Sequence, residues 1–267
     1  MPGHGGGQRL QAESTAREAA ALQVFDITER LAAEDFLFIE AARTVELLAA
    51  ISATDIVNDE VFLDSWNRLE EDRYMADGGK YRKRRHAVYA IHNPGETARQ
   101  MPYQPHYQTL DYNPLNGGVA RYFAPILDDL HHSPTLAALL EFGNRVFSRI
   151  SGNQQWHIEL HQFRIEARDG SLGKPTPEGA HRDGVDFVIV VMIKRVNIDS
   201  GATTIFNSEH QLVGEFMLRE TFDMVLVNDR RVYHGVTPIT QLDAGLEAYR
   251  DVLVVTFKKP DNSQAGA

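Results

Sequence analysis

The chain has 267 residues, 43% of them hydrophobic, which suffices to bury a full core, and a single β-rich domain with helical additions fits that length. A formal net charge of -10 argues against a nucleic-acid partner, because phosphate binding requires a concentrated positive surface. With no cysteine, disulfides and thiolate metal sites are excluded; no apolar run reaches the roughly 18 residues of a membrane span, and the N-terminus lacks the apolar core of a signal peptide, so the expected location is the cytoplasm.

Residues 1–12 are glycine-rich and carry too little apolar surface to order themselves, which predicts a mobile tail. From Ser14 the spacing of Ala20, Leu22, Phe25, Ile27 and Leu31 predicts a helix. A second helix is expected from about Ala33 to Ile51, with Phe36, Phe38, Ile39, Ala42, Val45, Leu47 and Leu48 on a wide buried stripe. Such helices buttress a sheet; a dimer face is the alternative use of the stripe, and the oligomeric state stays open. The alternation through Tyr81 to Tyr89 suggests a strand with a basic face, either solvated or turning one arginine inward toward a carboxylate.

Residues 93–124 hold most of the Pro, Gly and Asn punctuation and read as loop, with Tyr103, His106, Tyr107, Tyr112 and Arg121 as candidates to line a substrate entrance. Leu127 to Ile150 reads as another helix. In the following strand, Trp156 to Ile165, His157, Glu159 and His161 alternate onto one face and form a rival metal constellation. Its two imidazoles stand roughly 13 Å apart along an extended strand, too far to share one ion. His161, Gln162 or Arg164 could instead reach a cavity and hydrogen-bond substrate.

Residues 177–187 contain His181-x-Asp183, two residues that share one face of an extended chain and offer an imidazole and a carboxylate side by side. The apolar run that follows places Val185, Phe187, Ile189, Val191 and Ile193 on that same face if the alternation continues. Short strands are expected at 203–206 and 222–227. His234 follows Asp183 by 51 residues in a strand-like Val232-Tyr233-His234-Gly235-Val236. Two histidines and one carboxylate make the facial triad of non-haem Fe(II) oxygenases, leaving positions open for a cosubstrate and O2. Arg250 opens another apolar strand, where a guanidinium needs an anionic partner such as a dicarboxylate. Residues 258–267 are polar and read as a tail, leaving 13–257 as one domain. Several β-runs behind N-terminal helices favour an α+β, mainly β fold, a cupin-like jelly roll with an open mouth.

The segments 177–187, 228–239 and 249–253 together resemble the bacterial 2-oxoglutarate and Fe(II)-dependent dioxygenases of the isoleucine 4-hydroxylase type, over about residues 74–257. That resemblance implies a double-stranded β-helix, Fe(II), 2-oxoglutarate and O2, with hydroxylation of a free L-amino acid, aliphatic by preference, and release of succinate and CO2. It makes His181, Asp183 and His234 the iron ligands and Arg250 the 2-oxoglutarate anchor, with His161, Arg164 and Arg121 as candidate substrate contacts. Ser200-Gly201 departs from the Gly pair common in such enzymes, at a turn expected to touch no ligand. A cupin-like metal enzyme without 2-oxoglutarate and a silent jelly-roll binding module are the alternative readings.

Overall fold

The computed structural model describes residues 21–52, 56–93, 95–152, 154–168 and 170–260, so the expected tail at 1–12, the start of the first helix and most of the C-terminal tail lie outside the described residues. A helix over 21–34 (α1) is followed by strand Phe36–Ile39 (β1) and helix Ala41–Ser52 (α2). The single long helix expected over 33–51 is therefore wrong in its first third. Asp35 takes φ 65 and its N–H closes onto Leu31 O, a left-handed helix terminus, and Phe36-Leu37-Phe38-Ile39 then alternates between half-buried and buried positions.

Helix Glu60–Asp64 (α3), a 3-10 turn at Ser65–Arg68 and the short strand Glu70–Glu71 (β2) lead into Arg82–Ile91 (β3). A short Arg99–Gln100 strand (β4) and helix Pro134–Ser151 (α4) precede the two long central strands, Trp156–Ala167 (β5) and Phe187–Val196 (β6). Helix α4 starts later than expected, because residues 128–132 form a 3-10 helix and Ser133 caps Leu136 N with Pro134 in the first helical turn. Shorter strands follow at Ile198–Ser200 (β7), Thr203–Phe206 (β8), Leu212–Phe216 (β9), Met224–Asn228 (β10), Tyr233–Val236 (β11) and Ile239–Gln241 (β12), before Ala248–Lys258 (β13).

The major sheet is antiparallel and runs β1-β10-β6-β13-β5-β3-β2, with β4 on the outer edge of β3. Two small antiparallel sheets, β11-β8-β9 and β12-β7, form the opposing layer. Val188, Met192, Val225, Val227 and Val252 pack against Ile205 and Leu218 between the layers, which makes the fold a jelly roll with N-terminal helical buttresses. The helices cover the other face of the major sheet, where Leu139, Phe142, Val146 and Phe147 meet Phe187, Ile189, Val255 and Phe257. Gly143 permits the closest approach of α4, since a Cβ there would lie 2.6 Å from the Phe257 ring.

This packing corrects the expected parity of β6. Phe187, Ile189, Val191 and Ile193 face the helices, whereas Val190 looks into the space between the layers. The alternation does not continue from Asp183 because Gly184, at φ +81, and the bends around it turn the chain before the strand begins. The basic run is not a solvated face either. On β3 only Lys83 is partly exposed among the first residues: Arg82 and Arg84 turn inward, and Arg85 is buried against Arg68 O, Pro125 O and Glu70. Among the described residues no helix is long and apolar enough to cross a membrane.

Candidate active site

His181 and His234 are brought together by the backbone. Each donates its N–H to the other's carbonyl at 2.9 Å, an antiparallel bridge that extends β11 and sets the two imidazole centroids 4.8 Å apart. Asp183 lies between them: His181 Nε2 is 3.4 Å from Asp183 Oδ1, and His234 Nε2 is 3.5 Å from Asp183 Oδ2. The three donor atoms lie within 4.8 Å of one another. The distances of 3.4 and 3.5 Å are within the roughly 4.2 Å that two bonds of about 2.1 Å to one ion can span. The His181 ring is oriented by its Nδ1–H, which donates to Gly179 O at 3.0 Å and leaves Nε2 free to face the carboxylate.

Asp229, which the sequence reading missed, holds this corner together. Its buried carboxylate accepts the backbone N–H groups of Asp183 (2.9 Å), Gly184 (2.9 Å) and Val185 (3.1 Å), and its Oδ1 lies 3.8 Å from His234 Nδ1. The signal was present as Asn228-Asp229 just after an apolar strand, but a lone carboxylate there reads equally well as a turn.

The electrostatics are those of a cation site. Burial works against a charged His181, yet the hydrogen bond and charge of Asp183 outweigh it and raise its pKa to about 9. Burial would raise Asp183 in turn, but the His181 hydrogen bond and charge hold it well below the carboxylate range. Burial and the neighbouring His181 push His234 down to about 4. Burial and the negative charge of Asp183 raise Asp229 to about 7.

The triad opens into a cavity of about 560 Å³ between the two layers. Arg250 lines it from β13, 2% exposed, with Nε and Nη2 lacking any hydrogen-bond partner and no carboxylate in ion-pair range among the described residues. Burial and the charge of Arg195 lower its pKa to about 9. A buried guanidinium left in this state is expensive, so the position calls for an anion delivered from solution. The Ser200-Gly201 turn is closer to this residue than expected: Ser200 has taken φ 63, Gly201 φ 80, and a Cβ on Gly201 would sit 3.8 Å from Arg250 Cδ.

Of the candidate substrate contacts, His161 and Arg121 line the cavity and Arg164 does not. Arg164 projects from the opposite face of β5, binds Asp251 through two bonds of 2.8 and 2.7 Å and stacks over Tyr249, so its role is structural. Gln162 also points away, to Ser65 Oγ. His106 and Tyr107 of the expected entrance line the cavity, together with Gln108, which bridges Arg121 Nη2 (2.8 Å) and Asp183 Oδ1 (3.4 Å). The rival constellation is resolved differently from expectation. Glu159 and His161 gather His86 and His106, rather than His157, into a group of four donors within 4.8 Å.

A jelly roll whose mouth carries two imidazoles and one carboxylate, with no thiolate, is built as a mononuclear non-haem iron oxygenase, and the donor set fits Fe(II). Residues 63–256 match the 2OG-Fe dioxygenase family, and the chain belongs to that family. Its metal is Fe(II), and its co-reactants are 2-oxoglutarate and O2. The chain is 27% identical over 199 residues to the L-isoleucine-4-hydroxylase of Bacillus thuringiensis, covering 73% of this chain and 80% of the relative. It is 22% identical to the bifunctional enzyme flvA of Aspergillus flavus over 90% of its own length, but spans only 32% of that larger protein. Among solved structures, a bsmA homolog from Methylobium petroleophilum superposes with a TM-score of 0.78 at 34% identity, covering 88% of this chain and 93% of the other.

Proposed function

We propose that this dioxygenase hydroxylates an sp3 carbon of a free L-amino acid with an aliphatic side chain, Ile, Leu or Met-like. In this reading His181 Nε2, Asp183 and His234 Nε2 hold the iron and Arg250 anchors 2-oxoglutarate. The carrying observation is that the triad and an unpaired, buried Arg250 share one cavity. Support for the amino acid comes from the named activity of the Bacillus thuringiensis relative and from Arg121, a further cavity-lining guanidinium with no carboxylate partner among the described residues.

Bound Fe(II) supplies O2 activation, coupling oxidative decarboxylation of 2-oxoglutarate to succinate and CO2 with insertion of one oxygen atom into a C–H bond. The chain's own residues do the rest. Arg250 takes the distal carboxylate of the cosubstrate through its planar fork, which fixes the end of the molecule nearest the metal. Gly179 O keeps the His181 imidazole in place and Asp229 keeps the Asp183 turn in place. Val185, Val190, Val236, Val252 and Val254 give the cavity an apolar lining that favours an aliphatic side chain and excludes water. The carbon oxidised is the one the cavity holds nearest the metal.

The test is succinate release by the iron-loaded protein, screened across the twenty amino acids. Release that depends on iron and 2-oxoglutarate and is stimulated by an aliphatic amino acid is expected. Stimulation by none of them would overturn the substrate class.

A further inference from the structure

Glu159 sits in mid-strand on β5 and faces the cavity with its side chain 15% exposed. Its Oε2 is surrounded by three imidazoles: His86 Nε2 at 3.0 Å, His161 Nε2 at 3.5 Å, and His106 Nδ1 in direct hydrogen bond. Its other oxygen, Oε1, has only a long 3.4 Å contact from His157 among the described residues. The Arg84 guanidinium, clamped between the Phe123 and Phe163 rings, donates to His161 Nδ1 at 2.7 Å. A guanidinium can only donate, so His161 must carry its proton on Nε2, aimed at Glu159. Burial and Arg84 hold His161 well below the ordinary histidine range, and burial lowers His86. Burial would raise Glu159, but the hydrogen bonds from the histidines prevail and keep it ionised.

The result is a fixed carboxylate with one oxygen held by imidazole N–H donors and the other contacted only by His157. Arg121 stands next to it. His106 and Arg121 exchange backbone hydrogen bonds of 3.0 and 2.9 Å, which makes them a directly opposed pair with neighbouring side chains. Arg121 is buried, its Nε has no partner, and no carboxylate pairs with it among the described residues. The cavity thus offers two guanidiniums with no carboxylate partner among the described residues, Arg250 and Arg121, the latter bonded to Gln108, and at Glu159 a carboxylate whose Oε1 has only the His157 contact. A dicarboxylate satisfies the first; the remaining pair is complementary to a zwitterion.

We propose that Glu159, oriented by His86, His106 and His161, receives the α-ammonium group of the substrate while Arg121 receives its α-carboxylate, so that the site selects unmodified α-amino acids over N-acylated or desamino analogues. This rests on the amino-acid reading of the cavity and names the residues behind it. The four donors also have the spacing of a metal site, but a dication there would stand against Arg84 and Arg121 with a single carboxylate to offset it. A zwitterion brings its own counter-charge.

The experiment is anaerobic calorimetry on the Fe(II) and 2-oxoglutarate-loaded protein, with L-isoleucine and its desamino analogue 3-methylpentanoate as probes, comparing wild type with Glu159→Gln and Arg121→Gln. Glu159→Gln should weaken L-isoleucine binding roughly ten- to a hundredfold. It should leave 3-methylpentanoate, iron and 2-oxoglutarate binding unchanged, the last two also reporting that the variant is folded. Arg121→Gln should weaken both probes by the same factor. Equal losses for both probes in Glu159→Gln would overturn the assignment, as would a second equivalent of Zn(II) or Fe(II) bound by wild type and lost in that variant. If wild type binds neither L-isoleucine nor any amino acid that stimulates succinate release, it is the amino-acid reading that fails, and this assignment with it.

Discussion

Arg250→Met separates the two things a buried cation does. Without cosubstrate, the Arg250 guanidinium is 2% exposed with Nε and Nη2 unbonded, and its pKa is pushed down to about 9 by burial and Arg195. A basic group whose folded pKa is depressed destabilises the fold wherever it is charged. Replacement by an apolar side chain of similar length removes that penalty and keeps part of the packing, so the ligand-free variant should gain on the order of 1–4 kcal/mol. That corresponds to a rise in Tm of several degrees for a chain of this size. The same change removes a charge-assisted, two-pronged contact to 2-oxoglutarate, worth about 2–5 kcal/mol when one partner is lost, so Kd should rise from roughly thirtyfold to a few thousandfold. Thermal unfolding with and without 2-oxoglutarate reads both effects. Wild type should be the less stable protein alone and the one protected by the cosubstrate. A variant that melts lower than wild type in the absence of ligand, and binds 2-oxoglutarate equally well, would refute the reasoning and make Arg250 a structural residue.

Two further substitutions probe the corner that presents Asp183. Asp229→Asn replaces an acceptor for three backbone N–H groups by an amide with only one acceptor oxygen, and should weaken Fe(II) binding by about ten- to a hundredfold without unfolding the chain, as read by anaerobic metal titration. Gly184→Ala places a Cβ at φ +81 and within 2.6 Å of the Tyr112 ring; Tyr112 is exposed and can move, but the backbone strain stays, so stability should fall by about 1–2 kcal/mol in a denaturant titration.

Much of this site was legible because its signals are local. His181-x-Asp183 carries its own spacing, His234 and Arg250 lie on apolar strands, and an arginine on such a strand demands an anion whatever the surrounding topology. What escaped reading depends on turns and on pairing. The parity of β6 was lost at Gly184, where one left-handed residue resets which side chains face the cavity. The strand β1 was hidden inside a helical pattern, because Phe36, Phe38 and Ile39 satisfy both periods and only the reversal at Asp35 decides between them. Arg82 and Arg84 looked solvated in a basic run, and their burial follows from β3 lying beside β5 in the major sheet, a non-local fact. Glu159 was visible as an alternating partner of His157 and His161. Its real companions, His86 and His106, come from a neighbouring strand and a loop that no spacing rule connects.

The proposed activity requires His181, Asp183 and His234 to meet around a single ferrous ion. Anaerobic titration of the protein with Fe(II) in the presence of 2-oxoglutarate tests this most directly, comparing wild type with Asp183→Ala. One equivalent per chain is expected for wild type and none at comparable affinity for the variant, with both remaining folded by circular dichroism. Binding of one equivalent with undiminished affinity by Asp183→Ala would contradict it.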